Sequence, residues 1–200
     1  MVVLDISFRV EGTEIPADHS YILLSALSRI IPELHGDQSV GIHPISGVLL
    51  GDRLLRLTGN SSLVLRVPHE RLSLLVCLSG KRLDLNGHTL TIGMPTPRIL
   101  KPVAALRSRL VVIKGFTEHE GFIEACRRQL ELRDIKGEVN IPLKQQSSSF
   151  EGRTGASGNT SLLLRRTIMI HDKVVVGYAI QVAGLSPDDS IRLQEFGLGG

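Results

Sequence analysis

The order strand, helix, strand, strand, helix, strand fills the first half of the chain and a similar succession of strands and helices follows about one hundred residues on, and no other feature limits the possible folds as tightly. LDISFRVEG (Leu4 to Gly12) alternates polar and apolar residues like a strand. YILLSALSRII (Tyr21 to Ile31) puts Leu23, Leu27, Ile30 and Ile31 on one face and Tyr21, Ser25, Ser28 and Arg29 on the other, the spacing of an amphipathic helix. Asp18 or Ser20 stands where a helix cap is needed, and Pro32 discourages continuation. VGIHPISGVLL, LLRLTG and SLVLRV then read as strands. RLSLLVCL has helical spacing between Pro68 and a Ser79-Gly80 stop, and KRLDLNGHTLTIG is a hairpin whose Asn-Gly suits a type I′ turn.

MPTPRILKP, with three prolines and little periodicity, reads as an extended linker. Beyond it RLVVIKGF is a strand, EGFIEACRRQLEL a helix with apolar positions Phe122, Ile123, Cys126 and Leu130, and EVNIPL a strand. QSSSFEGRTGASGNTS has the composition of a loop. LLLRRTIMIHDKVVVGYAIQVAGL is a hairpin turning near Asp172 and Lys173, and SPDDSIRLQEFGLGG opens a final helix with Ser-Pro. The expectation is an α+β protein of tandem ferredoxin-like domains, the first over residues 1–98, a linker over 99–106 and the second over 107–200.

Composition narrows the partner. The 200 residues are 42% hydrophobic, enough for one good core or two small ones. No run approaches the roughly 18 apolar residues of a membrane helix, and MVVLDISFRVEG lacks the basic flank and apolar block of a secretory signal, so a cytoplasmic protein away from membranes is expected. Cys77 and Cys126 each lie within an apolar helix-like segment, which suits buried reduced thiols better than a disulfide or a zinc site. Net charge is only +3, yet of 23 basic residues all but six are arginine, the side chain suited to phosphate. Trp is absent and aromatics are 4%, so recognition by base stacking has little material, and phosphate contacts to a shaped, paired RNA fit better. There is no P-loop, dinucleotide glycine fingerprint or metal-ligand cluster, so no cofactor and no metal are expected.

ELHGDQSVGIHPISG (Glu33 to Gly47) holds two of the seven histidines, His35 and His43, on either side of a loop between a helix and a strand. As residues alone, His35 is equally a surface histidine favoured by a helix dipole, and His43 a strand histidine hydrogen-bonded beneath the loop. A metal site from Glu33, His35, Asp37 and His43 is conceivable by residue type, but the spacing does not call for one.

The helix ending in ELH, then VGIHPISG, the IKGF segment, the pair LLRRTIMI and KVVVGYAIQVAGL, and the tail SIRLQEFGLGG together resemble the CRISPR repeat-processing endoribonucleases, the sixth Cas family within the RAMP superfamily. The resemblance spans nearly the whole chain. It implies cutting of a precursor CRISPR transcript within each repeat without a metal, and retention of the mature guide RNA in a type I interference complex with other subunits. In that chemistry a ribose 2′-hydroxyl attacks the adjacent phosphate, leaving a 2′,3′-cyclic phosphate and a 5′-hydroxyl. A base, an acid and a cation are required, and histidine can serve all three roles.

In the family a histidine preceded by leucine at the end of the first helix is commonly the base, which points to His35. His43 falls where members place a basic or polar group near the scissile phosphate. Arg29, on the polar stripe leading to His35, is expected to clamp phosphate, with Tyr21 as a weaker auxiliary. Arg165, Arg166 and Lys173, at the second hairpin, are expected to contact the stem-loop of the repeat; an edge strand kept soluble by charge is the other reading. Lys114 is placed to face a cleft, and Arg127 and Arg128 to face water. Family members also carry a glycine-rich basic loop near the C-terminus, which is expected to be cut short here at Gly197-Leu198-Gly199-Gly200. A noncatalytic RAMP subunit that binds and caps guide RNA is the alternative.

Overall fold

Ile6, Phe8 and Val10 alternate with Asp5, Ser7 and Arg9, so one face of the first strand is apolar and buried and the other is polar. A computed structural model describes residues 2–142, 165–170 and 173–199, which divide into two compact units, Met1–Leu100 and Lys101–Gly200. The first contains β1 (Val3–Glu11), β2 (Glu14–Pro16), α1 (Ser20–Ile30), β3 (Gly41–His43), β4 (Val48–Leu49), β5 (Leu54–Arg56), β6 (Ser62–Pro68), α2 (Leu72–Leu75), β7 (Arg82–Leu85) and β8 (His88–Ile99). Its main sheet is antiparallel, ordered β3-β6-β1-β8-β7, which is the ferredoxin-like order with β7 added as a hairpin strand at the edge. α1 buries Leu23, Ala26 and Leu27 in the same core as Phe8, Leu63 and Leu65, so the helical layer covers one face of the sheet. Each fully buried leucine contributes about 1.5–3 kcal/mol. β2, β5 and β4 form a separate small sheet.

The second unit contains β9 (Ala105–Val111), α3 (His119–Glu131), β10 (Glu138–Asn140), β11 (Arg165–Ile170), β12 (Lys173–Ala183) and α4 (Pro187–Phe196). β12 pairs with β9, β10 and β11. Phe122, Cys126 and Leu130 of α3 are buried in one core with Tyr178, Ile180 and Val182 of β12. α4 starts as its Ser-Pro suggests: Ser186 Oγ accepts the Asp189 N–H at 3.1 Å and Pro187 fills the first helical position. The 146–161 stretch read as a loop and the turn residue Asp172 lie outside the described residues.

Several expectations need correction. Met94–Ile99, read as linker, belongs to β8 and pairs with β1, with Pro97 opposite Ile6 and Pro95 opposite Phe8. β7 covers β8 only up to Thr91, so the prolines sit on an open edge where a missing N–H costs little. The 99–106 segment thus holds the last residue of β8 and the first two of β9. α1 is preceded by His19, which makes no side-chain cap bond, in place of the anticipated Asp18 or Ser20 cap. RLSLLVCL forms only four α-helical residues flanked by 3-10 turns. That tighter winding buries Leu75 and Leu78, three apart, and turns Val76 and Cys77 outward, so Cys77 is exposed. β9 ends at Val111, and Ile113 to Phe116 is a turn with Gly115 at φ 87°, which leaves Lys114 exposed off the strand. The Asn86-Gly87 hairpin has both residues at positive φ, 57° and 85°, as its dipeptide implied.

Candidate functional site

Past α1 the chain makes one 3-10 turn, Pro32–Leu34, which buries Leu34 and leaves His35 exposed at its end, with the His35 N–H donated to the Pro32 carbonyl at 3.0 Å. Leu34 anchors the turn in the core, and His35 is turned to solvent. Gly36, at φ 78°, then reverses the chain. Asp37 closes the loop by accepting the Ser39 N–H at 2.9 Å and the Ser39 hydroxyl at 2.6 Å, and it pairs with Arg71 at 3.3 Å. These two hydrogen bonds, followed by the Arg71 charge, hold its carboxyl below the usual carboxylate range against an opposing effect of burial.

His43 is the last residue of β3. Its neighbour Ile42 lies opposite Leu65 and packs on the core, so alternation sends His43, opposite Val64, to the face of the sheet that α1 does not cover. The same face carries Asp5, Arg9 and Arg66. Arg66 grips Asp5 in a two-point ion pair, Nε to Oδ1 at 2.7 Å and Nη2 to Oδ2 at 2.9 Å, with Asp5 also directly opposite Arg98 in the register. His43 is half-buried, and its pKa is lowered from the ordinary 6.5, first by burial and then by Arg66, with Asp5 opposing. It is therefore a neutral ring near pH 7, able to accept one hydrogen bond and donate one.

Two residues on, the buried Ile45 donates its N–H to His19 Nε2 at 2.9 Å, while His19 Nδ1 lies 2.8 Å from the Pro16 carbonyl. Nε2 must accept, so Nδ1 carries the proton and donates to Pro16.

No hydrogen bond or ion pair joins His35 to His43: one ends the helical layer and the other lies on the open face of the sheet. Arg29 is exposed in the last turn of α1, and Tyr21 is exposed in its first. In the second unit Arg165 and Arg166 lie on β11 opposite Tyr178 and Gly177, and Lys173 opposite Ile170 at the hairpin end; the side chains of these three residues lie outside the described residues. Arg127 and Arg128 are exposed on α3, with Arg127 3.8 Å from Glu124. Among the described residues no three His, Cys, Asp or Glu side chains are grouped to hold a metal ion, and no helix is long and apolar enough to cross a membrane.

Asp5, Arg66 and His19 were not singled out from sequence, and Asp37 only as one of four residues of a conceivable metal site. A signal for the first two exists: each is a charged residue on the polar side of an otherwise apolar alternating strand, LDISFRV and SLVLRV. Nothing local marks their pairing, since they are 61 positions apart.

The two units define an α+β protein of tandem ferredoxin-like domains, the RAMP architecture. A family model described as Cas6 Crispr matches residues 4–200. A CRISPR-associated endonuclease Cas6 of Myxococcus xanthus (strain DK1622) is 35% identical over 200 residues, covering 100% of this chain and 77% of that protein. This chain belongs to the Cas6 family. Among solved structures, a CRISPR associated protein Cas6 superposes with a TM-score of 0.56 at 11% identity, covering 98% of this chain and 94% of the other. A Cas6 product complex superposes with a TM-score of 0.45 at 14% identity, covering 98% and 90%.

Proposed function

We propose that the chain is an endoribonuclease that cleaves precursor CRISPR RNA within its repeats, without a divalent metal, and stays bound to the mature guide RNA as a subunit of a type I interference complex. His35 takes the proton of the 2′-hydroxyl. The 2′-oxygen bonds to phosphorus as the bond to the 5′-oxygen breaks, and the departing oxygen is protonated from solvent, leaving a 2′,3′-cyclic phosphate and a 5′-hydroxyl. His43, neutral because burial and Arg66 disfavour its second proton, donates its one N–H to a phosphate oxygen instead of acting as the acid. Arg29 in the first unit and Arg165, Arg166 and Lys173 in the second contact the RNA backbone and stem, and Arg9 and Arg98 add positive charge to the face of the first sheet that carries His43, where Arg66 is paired with Asp5.

The observation that carries this reading is His43 on the arginine-bearing face opposite α1, eight residues after an exposed His35 held by a buried leucine, in a chain of the Cas6 family. The test is to incubate the protein with its repeat RNA in excess chelator and map the termini. The expected products carry a cyclic phosphate and a 5′-hydroxyl, and a 2′-deoxy substitution at the scissile nucleotide abolishes cutting. Activity that chelator removes, or cleavage of the 2′-deoxy RNA, overturns the mechanism. Binding without cleavage of the correct repeat identifies a guide-capping subunit.

A further inference from the structure

His19 is a third histidine that takes no part in the reaction above, yet it is 1% exposed and both ring nitrogens are engaged with backbone. Nδ1 donates to the Pro16 carbonyl at the end of β2, and Nε2 accepts the N–H of Ile45, two residues beyond His43. Its own carbonyl accepts the Leu23 N–H at 2.7 Å, the first bond of α1. One residue therefore fastens the start of the helix that leads to His35 to the segment that leaves the strand bearing His43. β3 needs such a fastening: it is only three residues long, and among the described residues it is the edge strand of its sheet and pairs with β6 alone. Pro44, which follows, has no N–H of its own to offer, so the first backbone donor after His43 is the Ile45 N–H that His19 holds.

The geometry points to His19 as a positioning residue for His43, a neutral imidazole that sets the exit of β3 through the Ile45 amide and so fixes where the His43 ring meets the RNA phosphate. This rests on the role given to His43 above. The bond needs Nε2 unprotonated, because a second ring proton would face the Ile45 N–H donor to donor. A side chain held this way moves no proton in the reaction. Its contribution is orientation, where an error of about 1 Å costs as much as 100-fold in rate.

The experiment is a double-mutant cycle on the full chain, read by single-turnover cleavage of repeat RNA and by affinity for the uncleavable 2′-deoxy RNA. His19→Ala is expected to slow cleavage by about 10- to 100-fold with affinity changed less than about threefold, a loss confined to the chemical step. His19→Gln, whose amide offers both an acceptor and a donor, is expected to recover much of the rate. In a His43→Ala background, His19→Ala is expected to have little further effect. On the unmutated protein, nitrogen-15 NMR of the imidazoles reports the His19 tautomer whether or not any variant folds, and the Nδ1–H form is expected at pH 7.

The proposal is overturned if His19→Ala cleaves at the wild-type rate, if it loses the same factor in both backgrounds, or if His19 proves to be the Nε2–H tautomer or doubly protonated at pH 7. A slow His43→Ala beside a fast His19→Ala removes this proposal alone. A His43→Ala protein that cleaves at the wild-type rate removes the role of His43, and this proposal with it.

Discussion

Replacing Asp5 with Asn keeps the shape of the side chain but removes the charge that Arg66 grips at 2.7 and 2.9 Å. The two side chains are 21% and 18% exposed, so the pair is mostly but not wholly withdrawn from water. Breaking a fully buried pair by removing one partner costs about 3–5 kcal/mol, and an exposed pair is worth at most about 1, so an intermediate loss of roughly 2 kcal/mol is expected. For a unit of this size that corresponds to a fall in Tm of about 10 °C. Arg66→Met should cost less, because Asp5 then still faces Arg98 across the sheet. The two substitutions should also move His43 in opposite directions. Asp5 raises its pKa and Arg66 lowers it, so Asp5→Asn depresses it further and Arg66→Met raises it. The His43 titration midpoint should therefore move to lower pH in Asp5→Asn and to higher pH in Arg66→Met. Thermal denaturation and an NMR titration of the His43 ring check both halves. A Tm unchanged in Asp5→Asn, or shifts of the same sign in the two variants, would refute the reasoning.

The depressed pKa of His43 also links to folding. The unfolded chain takes up this proton first as pH drops through 6.5, so His43's contribution to stability is full above that value and lost as pH falls towards the folded-state pKa; denaturant titrations from pH 8 to 5 should show the loss, and His43→Gln should remove it. Native protein should react with iodoacetamide at exposed Cys77 but not at Cys126, which is buried and whose thiol burial pushes up to about 11; peptide mapping of the alkylated chain reads this directly. Gly87→Ala should cost about 1 kcal/mol in denaturant titration, because φ is 85° and the space a Cβ would enter is open, so only the backbone preference is lost.

What could be read without coordinates follows from local physics. The apolar face of α1, the Asn-Gly turn and the Ser-Pro start of α4 each depend on residues within a few positions of one another. The misreadings share a different cause. Two prolines made 94–99 look like a linker because the tolerance of an edge strand for proline depends on where β7 stops. The apolar run around Cys77 implied burial on an α-helical period, but the backbone winds as 3-10 there. The Asp5–Arg66 pair joins two strands far apart in sequence, and His19 acts through backbone groups of Pro16 and Ile45 that no side-chain pattern reveals. His35 and His43 were legible as candidates through the family resemblance of ELH and VGIHPISG, whereas the burial and the Arg66 charge that lower the His43 pKa were not.

The central claim is that an imidazole at the exit of the first helix draws the proton from a ribose hydroxyl. The most direct measurement is the single-turnover cleavage rate of repeat RNA by His35→Ala in the presence of chelator, alongside its affinity for the 2′-deoxy RNA. The rate should fall by about 100-fold or more while affinity stays close to that of the unmutated protein. A His35→Ala protein that cuts at the unmutated rate would contradict it.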